Sequence, residues 1–305
     1  MQIDILAPQR DLLGECPLWD VRSQSLYWID GRSQLVRRLH PASGAYAEWA
    51  APAHIGSIAL CESGRLLLAL EHDFHLLDTN TGALTALGAG VQHQAEQMRL
   101  NDGRTDRAGR FIVGSMTMGR HEPEGELYQL TPQGQVNTLD RGIQLANATC
   151  FSPDGRWLYF ADSMERKIRR YPYDPATGQV GPSEVLVDTA PYGSAPDGAT
   201  VDAEGCIWVA LVLVGQLARF RPDGTLERSI QFAKDSYITC PCFGGPELDT
   251  IYLTSIRNSG NLLRSDHPDA GAVFVVRGTG VRGIAEARFD DLRLSSPSSS
   301  PKVSA

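Results

Sequence analysis

The sequence predicts an all-β fold, a six-bladed β-propeller with a metal site at its centre, and three observations carry that prediction. One hairpin phrase recurs six times at a near-constant period. Most copies are followed by a further strand-like segment that completes a four-stranded unit. No long stretch holds the 3.6-residue apolar period of an amphipathic helix.

The phrase itself is hairpin grammar: an apolar stretch, an Asp or Ser, a short turn around Gly, then a β-rich run closing on a polar residue. Its copies are "PLWDVRSQSLYWID", "IALCESGRLLLAL", "GRTDRAGRFIVGS", "TCFSPDGRWLYFAD", "ATVDAEGCIWVAL" and "CFGGPELDTIYLTS". Anchored on the residue that opens each turn, they fall at Asp20, Cys61, Asp106, Ser152, Asp202 and Gly244, with spacings of 41, 45, 46, 50 and 42. A period of that size built from strands and turns is that of propeller blades. The completing segments are "LVRRLHPASG", "FHLLDTNTG", "GELYQLTPQG", "IRRYPYDPATG" and "QLARFRPDG". A sandwich or barrel also uses short strands, but neither predicts six near-equal periods. The ring must be closed by the chain ends, and both "QIDILA" and "VRGIAEARF" at 281–289 read as strands able to do so.

Composition bounds the function. With 305 residues and 42% hydrophobic content the chain can bury a large core. No run approaches the roughly 18 apolar residues of a membrane helix, and the start has no basic segment leading into an apolar one, so a cytoplasmic protein without a membrane partner is expected. A net charge of −8 with no Lys/Arg block offers a phosphate backbone no footprint, which excludes nucleic acid as an expected partner. Six scattered cysteines with no C-x-x-C pair read as small buried hydrophobes rather than a disulfide framework. The Ser/Pro-rich tail 292–305 has almost nothing apolar to bury and is expected to be disordered, leaving 1–291 as the propeller.

Equivalent blades place residues of one phase on a ring around the central channel. Five positions before the anchors lie Glu15, Gly56, Asn101, Asn147, Asp197 and Thr239. Two residues earlier, on the same strand face, lie Leu13, His54, Arg99, Leu145, Ala195 and Tyr237, so Arg99 is expected at the same mouth as the carboxylates. Any one Asn or Asp before a hairpin is accounted for by side-chain-to-backbone turn bonds. Four acidic or amide residues at one phase with an arginine beside them point instead to a site. Carboxylate and amide oxygens are hard donors suited to Ca²⁺, Mg²⁺ or Mn²⁺, with Zn²⁺ possible in a small site.

These phrases carry a resemblance. "GECPLW", "RLNDGRTDRAGRFIVGSM", "FSPDGRWLYFADS", "PDGATVDAEGCIWVA", "CFGGPELDTIYLTS" and "GAVFVVRGTGVRG" resemble the senescence marker protein/gluconolactonase/luciferin-regenerating enzyme family, the regucalcin group of six-bladed propellers, over about residues 14–284. The resemblance implies that Glu15, Asn147 and Asp197 hold one divalent metal, that Arg99 and Asn101 bind substrate, and that Asp197 doubles as acid/base residue. The activity implied is hydrolysis of a sugar lactone, such as gluconolactone, to its aldonic acid, and a monomer or small homo-oligomer is expected. The chain departs from the family pattern at "GECP" for GEGP, "NA" for NG and "GSM" for GTM. Its loop "TMGRHEPEGELY" leaves Glu122 or Glu124 as the acidic candidates for sugar hydroxyls, and "LVLVG" at 211–215 suggests an apolar rim.

The chemistry stands beside the resemblance. Opening a cyclic ester needs a polarised carbonyl, an activated water and a stabilised oxyanion, which a divalent cation, a carboxylate and an arginine fork supply together. No GxSxG elbow is present. The same ring suits other ester or organophosphate substrates, and a non-catalytic calcium-binding propeller is the third reading.

Overall fold

The computed structural model describes residues 1–6, 8–119, 122–260 and 262–294. Its strands form six four-stranded antiparallel sheets. Their innermost strands are Gly14–Asp20, Ser57–Leu60, Met98–Thr105, Ala146–Phe151, Pro196–Val201 and Ile238–Gly244, and neighbouring inner strands contact one another all round the ring. The architecture is the six-bladed propeller that the repeat predicts, with its apolar core lying mainly in clusters within and between blades.

Closure comes from one end of the chain. Gln2–Ile5 pairs antiparallel with Phe274–Arg277 as the outermost strand of the sixth blade, whose other strands are Thr250–Ser255 and Ile238–Gly244. The expectation that 281–289 forms a second closing strand is corrected. That segment crosses the closed end of the channel as a strap, joined to the blades by the isolated bridges Asp202 to Gly283 and Cys61 to Phe289 and by Gly283 N donating to Leu248 O at 2.7 Å, rather than by a ladder. Single bridges hold it because fully buried Phe289, rather than a ladder, anchors it in the core. At its centre Glu286 pairs with Arg104 of the third inner strand at 2.9 Å, and Arg104 also donates to Ala199 O at 2.8 Å. Beyond the strap, Asp291 accepts from Ser63 and Arg65, and Leu294 packs against the apolar cluster of the second and third blades. Residues 295–305, most of the tail expected to be disordered, lie outside the described residues.

Five of the six inner strands break register at the ring position: between Glu15 and Leu18, Leu100 and Gly103, Asn147 and Cys150, Pro196 and Ala199, and Ile238 and Pro241. A bulge inserts one residue and re-aims its neighbours, a device common beside binding sites. Two of the three departures from the family pattern sit on these bulges, and the third, Ser115, lies on the facing strand opposite Leu100. Cys16 and Ala148 stand where glycine is usual and adopt left-handed backbone, with φ of 47° and 54°. All six cysteines are buried and free.

Candidate active site

Two aspartates fix where the ring residues emerge. Asp30, closing the second strand of blade one, accepts from Leu12 N at 2.9 Å and Leu13 N at 3.2 Å. Asp162 repeats the contact in blade four, accepting from Gln144 N at 2.8 Å and Leu145 N at 3.2 Å. Each ties down the segment that delivers a ring residue, Glu15 in one case and Asn147 in the other, so the side chains enter the channel from a braced backbone.

The ring encloses the floor of a cavity of about 500 Å³ lined by Glu15, Arg99, Asn101, Asn147 and Asp197 together. All five residues expected at one mouth are therefore brought to one cavity. Of the remaining two ring positions, Gly56 lines the cavity without a side chain and Thr239 is absent from the lining among the described residues. A Cβ on Gly56 would lie 2.4 Å from Leu100 O, so glycine there lets the second blade abut the third. Thr239 turns away to donate to Gly14 O at 2.6 Å, joining the sixth blade to the first. Of the residues two places earlier, Leu13, His54, Arg99 and Leu145 line the cavity, whereas Ala195 and Tyr237 pack behind it with Leu13 and Ile256.

A hydrogen-bond chain sets the amide orientations. Ser163 Oγ has one proton, and Pro196 O takes it at 2.6 Å. The hydroxyl therefore accepts from Asn147 Nδ2 at 2.8 Å, which leaves Asn147 Oδ1 towards the ring, 3.4 Å from Asn101 Nδ2. Asn101 Nδ2 also donates to Ala146 O at 2.7 Å, so its Oδ1 accepts from Arg99 Nη1 at 2.6 Å. Nη1 reaches Leu100 O as well, at 2.9 Å. Arg99 Nε and Nη2 have no protein acceptor among the described residues.

The carboxylates are poorly matched by protein donors. Glu15 receives only its neighbour Cys16 N, at 3.4 Å. Burial, and then the charges of Asp197 and Asp102, push its carboxyl well above the usual range. Burial and then Asp102 do the same to Asp197. Arg99 remains a cation, pulled down only to about 10 by burial. His54 is held neutral, pushed down to about 3 by burial and by Arg99.

Two buried carboxylates with few donors, beside an amide oxygen turned towards them, fit a hard divalent cation, which would offset the mutual repulsion that otherwise protonates them. Among the described residues no three His, Cys, Asp or Glu side chains gather as a metal-binding group. The third donor available is the Asn147 amide rather than another acid.

The structure adds residues that the repeat did not single out. Asp102 follows Asn101 on the bulge, accepts from Thr149 N at 2.7 Å, and feels both Arg104 below and the acidic pair above. Its signal was the acid directly after the amide in "RLND". Arg32, on the turn after the second strand of blade one, lines the cavity rim. The rim is apolar, as expected, but not for the expected reason. Leu13, Met116, Met118, Leu145, Ile256, Leu262 and Leu263 line it, whereas Val212 and Leu213 of "LVLVG" sit in the cluster behind. Met118 and Gly119 bring the 117–126 loop to the rim, while Glu122 and Glu124 are absent from the lining among the described residues.

Residues 13–257 match the family described as "SMP-30/Gluconolactonase/LRE-like region". The chain belongs to that family. It is 36% identical over 283 residues to a 6-deoxy-6-sulfogluconolactonase of Pseudomonas putida, covering 92% of this chain and 96% of the relative. It is 30% identical over 296 residues to regucalcin of Xenopus laevis, covering 95% and 98%. Among solved structures, the calcium-binding protein regucalcin of Agrobacterium tumefaciens superposes with a TM-score of 0.86 at 31% identity, over 93% of this chain and 96% of that one. No helix of the described residues is long and apolar enough to cross a membrane.

Proposed function

We propose that this family member hydrolyses a sugar lactone to the aldonic acid, with Asp197 as the acid/base residue and Arg99 and Asn101 binding the substrate. The observation that carries the reading is the buried guanidinium of Arg99, locked by Asn101 and Leu100 O beside two carboxylates at the floor of one cavity. A purely structural ion site has no use for a cation on its open side. The Pseudomonas relative, named for a gluconolactone, supports the same class of substrate.

Glu15, Asn147 and Asp197 would hold one divalent cation, supplying Lewis acidity towards the lactone carbonyl and an acidified water. The calcium-binding Agrobacterium relative supports calcium as one candidate. Asp197 takes the proton of the attacking water as its oxygen bonds to the carbonyl carbon. When the bond from that carbon to the ring oxygen breaks, Asp197 returns the proton to the ring oxygen, giving the hydroxy acid. Arg99 presents Nε and Nη2 to the oxygen that gains charge, and its bonds to Asn101 and Leu100 O keep that fork from turning away. His54, neutral and half-buried, adds no charge to compete with it.

Acid release from a panel of aldonolactones, by protein stripped of metal and reloaded with Ca²⁺, Mg²⁺, Mn²⁺ or Zn²⁺, tests the reading. Turnover that needs a divalent cation and falls about ten- to a hundredfold in Arg99→Ala, with cation affinity kept, is expected from the loss of charge-assisted hydrogen bonds. Organophosphate or aryl ester turnover without lactone turnover would replace lactonase by another hydrolase. Cation binding with no turnover of any ester would leave a calcium-binding propeller.

A further inference from the structure

The cavity's charges are arranged along its depth. The acids lie at the floor, and two arginines, Arg99 near the floor and Arg32 at the rim, share the lining. Most buried arginines elsewhere are matched by carboxylates: Arg37 to Asp11 at 2.8 Å, Arg104 to Glu286 at 2.9 Å and Arg219 to Asp202 at 2.8 Å. Arg32, exposed at the rim unlike these, has no carboxylate partner among the described residues. Among the described residues its protein bond runs from Nη1 to Asn258 O at 3.2 Å, across the seam between the first and sixth blades. That leaves most of a planar five-donor fork open at the mouth.

The fork is also held in place. Gly260 has φ of +95°, and a Cβ there would stand 3.3 Å from Arg32 Nε and 3.5 Å from Cζ, so the bare backbone gives the guanidinium its bed. Strand register sets its height. Glu15 pairs with Ile29, and Arg32 is three residues further on, at most about 11 Å of extended chain above the floor. A six-carbon lactone with its carbonyl at Arg99 and its ring against the apolar wall extends its far carbon towards that rim.

We propose that Arg32 is the specificity residue for an anionic group on the carbon farthest from the lactone carbonyl, so that the substrate class is a six-carbon aldonolactone bearing a terminal sulfonate or phosphate. The inference rests on the lactone reading of the floor. Both groups are tetrahedral oxyanions that take a guanidinium in two parallel hydrogen bonds.

The test compares glucono-1,5-lactone with its 6-phosphate and its 6-deoxy-6-sulfonate, in wild-type protein, Arg32→Gln and Arg32→Lys. In parallel, calorimetry measures binding of the corresponding open aldonates. Wild type should favour an anionic lactone over the neutral one in kcat/KM, and Arg32→Gln should shrink that ratio about tenfold, mainly through KM. Arg32→Lys should restore part of it. The better of the two anions identifies the source of the charge, since a phosphate carries up to about two charges at neutral pH and a sulfonate one. A ratio unchanged in Arg32→Gln, with all lactones slowed alike, would make Arg32 a seam staple and overturn the proposal. If no lactone is opened at all, the catalytic reading fails by itself. The aldonate arm still decides: tighter binding of the anionic acids, lost in Arg32→Gln, supports the subsite, and equal binding overturns it.

Discussion

The two ends of the channel treat buried charge in opposite ways. At the closed end, Arg104 is matched by Glu286 on the strap and by Ala199 O, and Arg288 by Asp20 and Cys61 O. At the mouth, some of the same residue types are left short of partners: Glu15 has one long backbone contact, and Arg99 has open donors. Both ends are built on the same six inner strands, so packing does not explain the difference. Charge paired with opposite charge holds the ring together, whereas charge without an opposite partner is open to a ligand.

The sharpest way to break that comparison is at Asp197. Asp197→Asn keeps an oxygen for a cation but removes the proton acceptor. Turnover at saturating metal should therefore fall about 10²–10⁴-fold. Glu15→Gln, assigned to ligation alone, should recover much of its activity when metal is in excess. Equal turnover of the two metal-loaded variants would make Asp197 a ligand only.

At the closed end the effect should appear in stability instead. Glu286→Ala leaves Arg104 buried without its carboxylate, and losing one partner of a buried pair costs about 3 kcal/mol. Denaturant unfolding should show that loss while cation affinity at the mouth holds. If cation affinity collapses as well, the two ends are not independent.

A smaller effect separates the ends by pH. The folded chain holds His54 near 3 against an ordinary value of 6.5, so its contribution to stability is present above pH 6.5 and is lost as pH falls towards 3. His54→Gln should flatten the fall in stability between pH 6 and pH 4 by about 1 kcal/mol per pH unit. Parallel curves for the two proteins would show that His54 is not held neutral.

Much of this was legible in the sequence because the blade period is a strict geometric clock. Counting back five residues from each turn found Glu15, Asn101, Asn147 and Asp197, and two further back found Arg99. The clock failed where local physics departs from plain alternation. Asp102 was hidden because strand alternation turns adjacent residues to opposite faces, whereas the bulge between Leu100 and Gly103 undoes that rule. Gly56 and Thr239 keep the phase but spend it on blade contacts, which no residue type announces. Arg32 sits on a turn between strands and has no phase of its own. The strap at 281–289 has a strand's composition, yet its fate was set by Phe289 and Glu286 finding partners on distant blades.

If the unmatched acids Glu15 and Asp197 form a cation site, the metal-free protein should take up one divalent ion there. Calorimetric titration of the metal-free protein with Ca²⁺, Mg²⁺, Mn²⁺ and Zn²⁺ tests it most directly, read together with thermal unfolding. One cation should bind per chain and raise the melting temperature as free metal exceeds Kd. Both effects should weaken in Glu15→Gln and Asp197→Asn and persist in Arg99→Ala. Absence of binding, or binding indifferent to Glu15 and Asp197, would mean that these acids hold no cation.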